Sequence, residues 1–326
     1  MAPVVDGTTV AGLVLGNKIG AVKATIQLPR RWINSACLDD SLAFQTAIHG
    51  AGVLDVELVF PSGCKVMVDA GTRLLSLVNQ AAHAAKRVRL VFEEGAGGTM
   101  GYLQRMGFFE FLDSSVRVQP EPTAQYLGEH RQHRALIEFA RIHPSRKDEN
   151  LPTQLADRIG RGATAMTADR ARKLEDTAWH VFAELIQNIH RHAEAPIDGF
   201  AALQIYKAPR GRRAVVSVSD SGLGLLRTLR HGLEGRQART ATLSDAALLL
   251  KVVSEGVSRF GSGNGCGICT SAQKALAFDT TLDFRLYNSS LHLEPKHGSG
   301  FTLAHHRENL TPMWGTHIAF EFKLDN

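Results

Sequence analysis

Four cysteines, Cys37, Cys64, Cys266 and Cys269, are too few for a disulfide framework in a chain of 326 residues. Their scarcity fits a reducing compartment. Cys266-Gly267-Ile268-Cys269 has the spacing of a metal or redox pair, yet no second pair completes a zinc site, and its place inside a glycine run accounts for it better. Long apolar runs are missing too. None approaches the ~18 residues of a membrane span, and the N-terminus lacks a charged-then-apolar leader. A soluble, cytoplasmic protein with no membrane partner is expected. The formal charge of +5 is mild. Basic residues gather in Lys207–Arg213 and from Arg227 to Arg239, where they read as solvated turns rather than a nucleic-acid surface. No Walker lysine follows any glycine loop.

What is present is apolar residue in quantity: 44% of the chain, enough for a sizeable core and two domains. The first half alternates strands and helices. Val22 to Leu28 and Leu54–Phe60 read as strands, Asp39 to His49 and Leu74 to Ala85 as helices, Arg87–Phe92 as a further strand, and Tyr102–Met106 as a last helix. That order predicts a small α/β domain, residues 1–118, with a sheet at least partly parallel. Over residues 45 to 115, and in its ending Gly101-Tyr102-Leu103 to Gly107-Phe108-Phe109, the segment resembles the STAS-like domains of bacterial regulators. The resemblance implies a docking module for a protein partner and leaves a homodimer open.

Residues 119–165 read as a connector, punctuated by Pro120, Pro122, Pro144 and Pro152, with a short helix from Gln132 to Ile142. His130 and His133 sit among arginines there and read as solvated rather than as phosphoacceptors.

From Met166 a long helix leads into Phe182–His192. Ala178, Phe182, Leu185, Ile186 and Ile189 recur at helical spacing, and Glu184, Asn188 and His192 follow one another at four-residue steps along another stripe. Such a row can offer a base and a metal ligand to one bound molecule. The strand Ala214–Ser219 then ends in Asp220-Ser221-Gly222-Leu223-Gly224. An aspartate at a strand end can accept the exocyclic amino proton of adenine, and glycines let a base lie against bare backbone. Gly261, Gly263, Gly265 and Gly267 alternate and run straight into a helix, Cys269 to Phe278. Exposed amides beside a helix N-terminus suit a di- or triphosphate. Strands at Thr281 to Tyr287, Gly300 to His306 and Gly315–Phe322 close a domain over residues 166–326, expected as a two-layer α/β sandwich.

In this order the segments resemble the GHKL ATPases, the gyrase, Hsp90, histidine-kinase and MutL superfamily. Glu184–Asn188 is similar to the family's N box, Asp220–Gly224 to its G1 box, Gly261–Ile268 to its G2 box, and Gly315-Thr316 to its late Gly-Thr. The resemblance implies a Bergerat-type fold with ATP and Mg²⁺ as cofactors. It implies Glu184 as the catalytic base, Asn188 as the Mg²⁺ ligand and Asp220 as the reader of adenine, supported by Thr316. It brings Arg191 and His192 towards the phosphates and lays Gly222, Gly224, Gly261, Gly263, Gly265 and Gly267 against the nucleotide. It also implies a lid between Leu225 and Phe260, where Arg227, Arg230, Arg236, Arg239 and above all Arg259 are candidate charge neutralisers. The lysine that a following domain supplies in the gyrase and MutL branches has no counterpart before Asn326. The expected activity is slow ATP hydrolysis whose lid closure regulates a partner. A protein kinase of the anti-sigma (serine) or histidine-kinase type and a non-catalytic nucleotide sensor are the alternatives.

Overall fold

The computed structural model describes residues 22–43, 48–122, 136–192, 195–208, 211–235, 237–258, 261–262, 267–296 and 300–325. It is a mixed α/β protein with one parallel and one antiparallel principal sheet. Among the described residues no helix is long and apolar enough to cross a membrane.

The first unit contains β1 (Val22–Gln27), β2 (Trp32–Ile33), α1 (Ser35–Leu42), β3 (Val53–Phe60), β4 (Lys65–Val66), α2 (Val68–His83), β5 (Arg87–Phe92), α3 (Thr99–Arg105) and β6 (Arg117–Gln119). β1, β3, β5 and β6 form a parallel sheet in that order. Its strands alternate cleanly: Ile26, Val56, Leu58, Val88 and Leu90 are buried, whereas Lys23, Arg87, Arg89 and Arg117 are exposed. Parallel sheets are usually covered on both faces; here the second face carries ion pairs such as Arg87–Asp55 and Lys23–Glu57.

α2 begins at Val68, ahead of the expected Leu74, because its first turns are buried rather than propensity-driven. Gly71 sits where a side chain would come within 2.9 Å of the Phe139 ring. Every residue from Val68 to Ala81 is buried, polar ones included, because the helix is enclosed between two sheets.

The second sheet has seven strands, all antiparallel, in the order β14-β13-β12-β15-β9-β8-β7. These are β7 (Leu136–Ile142), β8 (Gly199–Ala208), β9 (Gly211–Ser219), β12 (Thr281–Arg285), β13 (Ser290–Lys296), β14 (Gly300–Arg307) and β15 (His317–Lys323). Helices α4 (Leu151–Gly162), α5 (Ala168–His192), α6 (Leu225–Leu233), α7 (Ala238–Ala241), α8 (Asp245–Glu255) and α9 (Gly267–Ala275) belong with it, as does the short hairpin of β10 (Val257–Ser258) and β11 (Gly261–Ser262). Ala201, Leu203, Val216, Val218, Phe284, Leu293, Phe320 and Phe322 face this helical layer; Phe200, Ala202 and Val215 face α2. Of the helix expected from Gln132 to Ile142, residues 132–135 lie outside the described residues, and Leu136–Ile142 is instead strand β7, paired with β8 across a register shift between Ile137 and Ala140. β13, which the sequence reading left out, forms the middle of the closing three-stranded meander.

The two units meet through α2 and a buried charge cluster. Asp39 of α1 accepts from Arg285 Nε (2.9 Å) with one oxygen and from Arg73 (3.2 Å) with the other, and no member is more than 2% exposed. Arg285 also donates to the backbone oxygens of Leu286 and Thr311.

Candidate functional site

α5 is amphipathic, and its buried stripe of Leu174, Ala178, Val181, Phe182, Leu185 and Ile189 packs onto the helical-layer core. Glu184 and Asn188, one turn apart, are half-buried at its edge. Leu185, Asn188 and Ile189 face the C-terminal end of β9 and the start of α6 across a cavity of about 60 Å³. Val218, Asp220, Gly224, Thr228, Ile268 and Thr316 complete its lining. The cavity is an apolar slot with one carboxyl at its end. At ~60 Å³ it is well under the ~150 Å³ at which an engineered cavity takes up benzene, so a purine enters only if the lining moves.

Asp220 and Thr316 hold each other across adjacent strand ends. The Asp220 N–H donates to the Thr316 carbonyl (3.0 Å), and the Thr316 N–H donates back to the Asp220 carboxylate (3.1 Å). The Gly222 N–H donates to the other carboxylate oxygen (2.8 Å), and the Thr316 hydroxyl accepts from the Leu225 N–H at the first turn of α6 (2.7 Å). Burial pushes the Asp220 carboxyl up to about 6, while the bonds from Gly222 and Thr316 oppose the shift by favouring the anion. Gly315 makes the approach feasible: its φ is +84°, and a Cβ there would lie 2.1 Å from the Asp220 carbonyl oxygen. Gly224, at φ +86°, turns the chain from β9 into α6.

Gly267 opens α9 against Glu184: a Cβ on it would lie 1.7 Å from the Glu184 carboxyl carbon. The helix end that the sequence assigns to phosphates therefore faces a carboxylate, an arrangement the helix dipole favours.

The structure thus brings together Asn188, Asp220, Gly224 and Thr316 around one slot, with Glu184 and Gly267 in contact beside it. Gly222 reaches the site through its N–H. Arg191 and His192 lie in the last turn of α5, their side chains outside the described residues, as are Arg259, Gly263, Gly265, Cys266 and, in the lid, Arg236. Gly261 pairs with Ser258 in the β10–β11 hairpin. One expectation changes. Arg230 is no free lid cation, because it donates to the carbonyls of Ala241 and Leu243 and to Asp245 (2.7 Å), fastening α6 to α8. Arg227 and Arg239 remain exposed.

Sequence reading missed the slot's walls, Leu185, Ile189, Val218 and Ile268, because their spacing signals core and they are core as well. Among the described residues no group of three His, Cys, Asp or Glu side chains could hold a metal ion. A neutral oxygen such as that of Asn188 suits Mg²⁺ that takes its other ligands from phosphates and water. No protein-family model matches the chain, and no curated protein matches it in sequence.

Proposed function

We propose that the chain binds Mg²⁺-ATP in this slot and hydrolyses it slowly, as a GHKL-type ATPase whose closing lid alters how the protein meets a partner. The observation that carries the reading is Asp220, a buried carboxylate at the end of an apolar slot, braced by Thr316 and faced by Asn188. The exocyclic amine of adenine is a donor that such a carboxylate accepts, and the branched side chains of Leu185, Ile189 and Ile268 offer walls to a flat ring. An antiparallel sheet whose own helices, α4 to α9, pack on one face supports a Bergerat-type fold, and the four-stranded parallel unit ahead of it supports a STAS-like one.

On this reading Asn188 holds Mg²⁺ together with the phosphates, and the metal when bound neutralises charge on the transferring phosphoryl group. Glu184, one turn before Asn188, orients and deprotonates the attacking water. Phosphates at the start of α9 require the Glu184 side chain to turn away from Gly267, since two anions at one helix end repel.

Incubation with γ-labelled ATP and Mg²⁺ tests the activity. Label is expected in free phosphate, and Glu184→Gln is expected to bind ATP as wild type does while releasing phosphate at least ~100-fold more slowly. A wild-type rate in that variant refutes the role of Glu184. Label retained on protein moves the assignment to a kinase, and no turnover with intact binding moves it to a sensor.

A further inference from the structure

Gln80 belongs to α2, in the first unit, yet each hydrogen bond found for its side chain crosses into the second. Its amide nitrogen donates to the Ser221 hydroxyl (2.9 Å) and to the Trp314 carbonyl (3.1 Å), and its amide oxygen accepts from the Trp314 N–H (3.0 Å). The residue is fully buried. A buried amide is tolerated only where its donors and acceptor are met, and here they are met by backbone and hydroxyl groups 141 and 234 residues away in sequence.

The two partners are the outer neighbours of the pair that closes the slot. Ser221 follows Asp220, and Trp314 precedes Gly315-Thr316. Asp220 and Thr316 are already bonded to each other, so Gln80 ties together the ends of β9 and β15 from behind the carboxylate. Gly315 leaves no slack between them, given the 2.1 Å that would separate a Cβ from the Asp220 carbonyl oxygen. A displacement of Trp314 is therefore carried to the Thr316 N–H. The first unit also holds Trp314 by its ring: His49 stacks on it at 5.1 Å and His83 meets it edge-on at 6.2 Å. His49, Gln80 and His83 form a bracket on one loop of the site.

Resting on the nucleotide reading above, we infer that Gln80 is a positioning residue for the adenine half of the site, and that through it the first unit and the bound nucleoside are energetically coupled. Gln80 touches neither adenine nor phosphate; it fixes the separation of Asp220 and Thr316. Coupling of this kind is reciprocal: whatever shifts α2 alters adenine affinity, and adenine binding tightens the hold of α2 on Trp314.

The discriminating readout compares two probes. Adenosine samples the adenine half, and inorganic tripolyphosphate with Mg²⁺ samples the phosphate half. With all three hydrogen bonds removed, Gln80→Met should bind adenosine about tenfold more weakly, with tripolyphosphate affinity unchanged. A purely structural role predicts equal losses for both probes or none, and either result overturns the inference. A second measurement uses protein with Gln80 intact and Trp32 and Trp179 replaced by Phe, leaving Trp314 as the sole tryptophan. Saturating adenosine should change its emission and slow exchange of its backbone amide; no change in either overturns the coupling even if Gln80→Met fails to fold. Wild-type protein that binds neither probe removes the nucleotide reading itself, and this inference with it.

Discussion

Asp39→Asn tests how the two units are joined. Asp39 is the anion between two buried guanidiniums, and the exposures are 1% for its side chain, 2% for Arg73 and 0% for Arg285. Burial and the neighbouring Arg73 and Arg307 disfavour the charged form of Arg285, and Asp39 opposes them. An asparagine keeps the shape and removes the compensating charge. Breaking a buried ion pair by removing one partner typically costs about 3–5 kcal/mol. At about 2.1 cal/mol/K per residue, one cooperative transition of 326 residues shifts by about 1.5 °C per kcal/mol, so the melting temperature should fall by roughly 4–7 °C. Calorimetry at neutral pH measures it. Because the cluster and α2 bridge both units, the variant should still melt in one cooperative transition. Replacing all three residues by apolar ones of similar volume should recover most of the loss, since buried ion pairs seldom outperform well-packed apolar groups. A drop no larger than that of an ordinary surface substitution would refute the reasoning.

Gly315→Ala forces a left-handed φ on alanine and presses a methyl onto the Asp220 carbonyl; the conformational cost and overpacking together should remove about 2–5 kcal/mol, and an unchanged urea midpoint would contradict that. Acidification should remove the stability that two buried neutral histidines supply. Burial holds His49 down at about 4 and His317 well below 6.5, so as pH drops below 6.5 the unfolded chain takes up protons that the folded one does not, and their contribution is lost. Asp220, raised to about 6, works in the opposite sense: from pH 6 down to the ordinary carboxylate range the folded chain binds the proton first and gains. His292, held up by its bond to Asp283, also gains on acidification. The variant isolates one contribution: His49→Phe, which keeps the ring stacked on Trp314, should lose less stability than wild type as the pH falls below 6.5, and superimposable pH curves would count against the assignment.

Elements whose apolar residues keep one period were legible in the sequence. α5 and β9 follow their patterns; Asp220 stood out at a strand end, Asn188 by its four-residue step from Glu184, and Thr316 through the resemblance to the late Gly-Thr alone. β7 was not legible. It is buried on both faces, with Phe139 in the core around α2 and Ile142, three residues on, in the other core, so its apolar residues do not alternate with polar ones. Pro295 lies past the part of β13 that pairs with β12, where β14 is its one partner and a proline is tolerated, and so hid a strand whose alternation at Leu291 and Leu293 is otherwise regular. Gln80 carried no signal. A glutamine among the apolar residues of a helix reads as a surface position until the second sheet covers it. The same holds for the Asp39–Arg285 bond, which spans 246 residues.

The proposed ATP site depends on Asp220 accepting the adenine amino group. Calorimetric titration of wild type and Asp220→Asn with ATP and with GTP tests it most directly, because GTP presents a carbonyl where ATP presents an amine. A charge-assisted bond is worth roughly 1.5–3 kcal/mol, so wild type should prefer ATP by about ten- to a hundredfold and the variant should lose most of that preference. Equal affinity of wild type and Asp220→Asn for ATP would contradict the assignment.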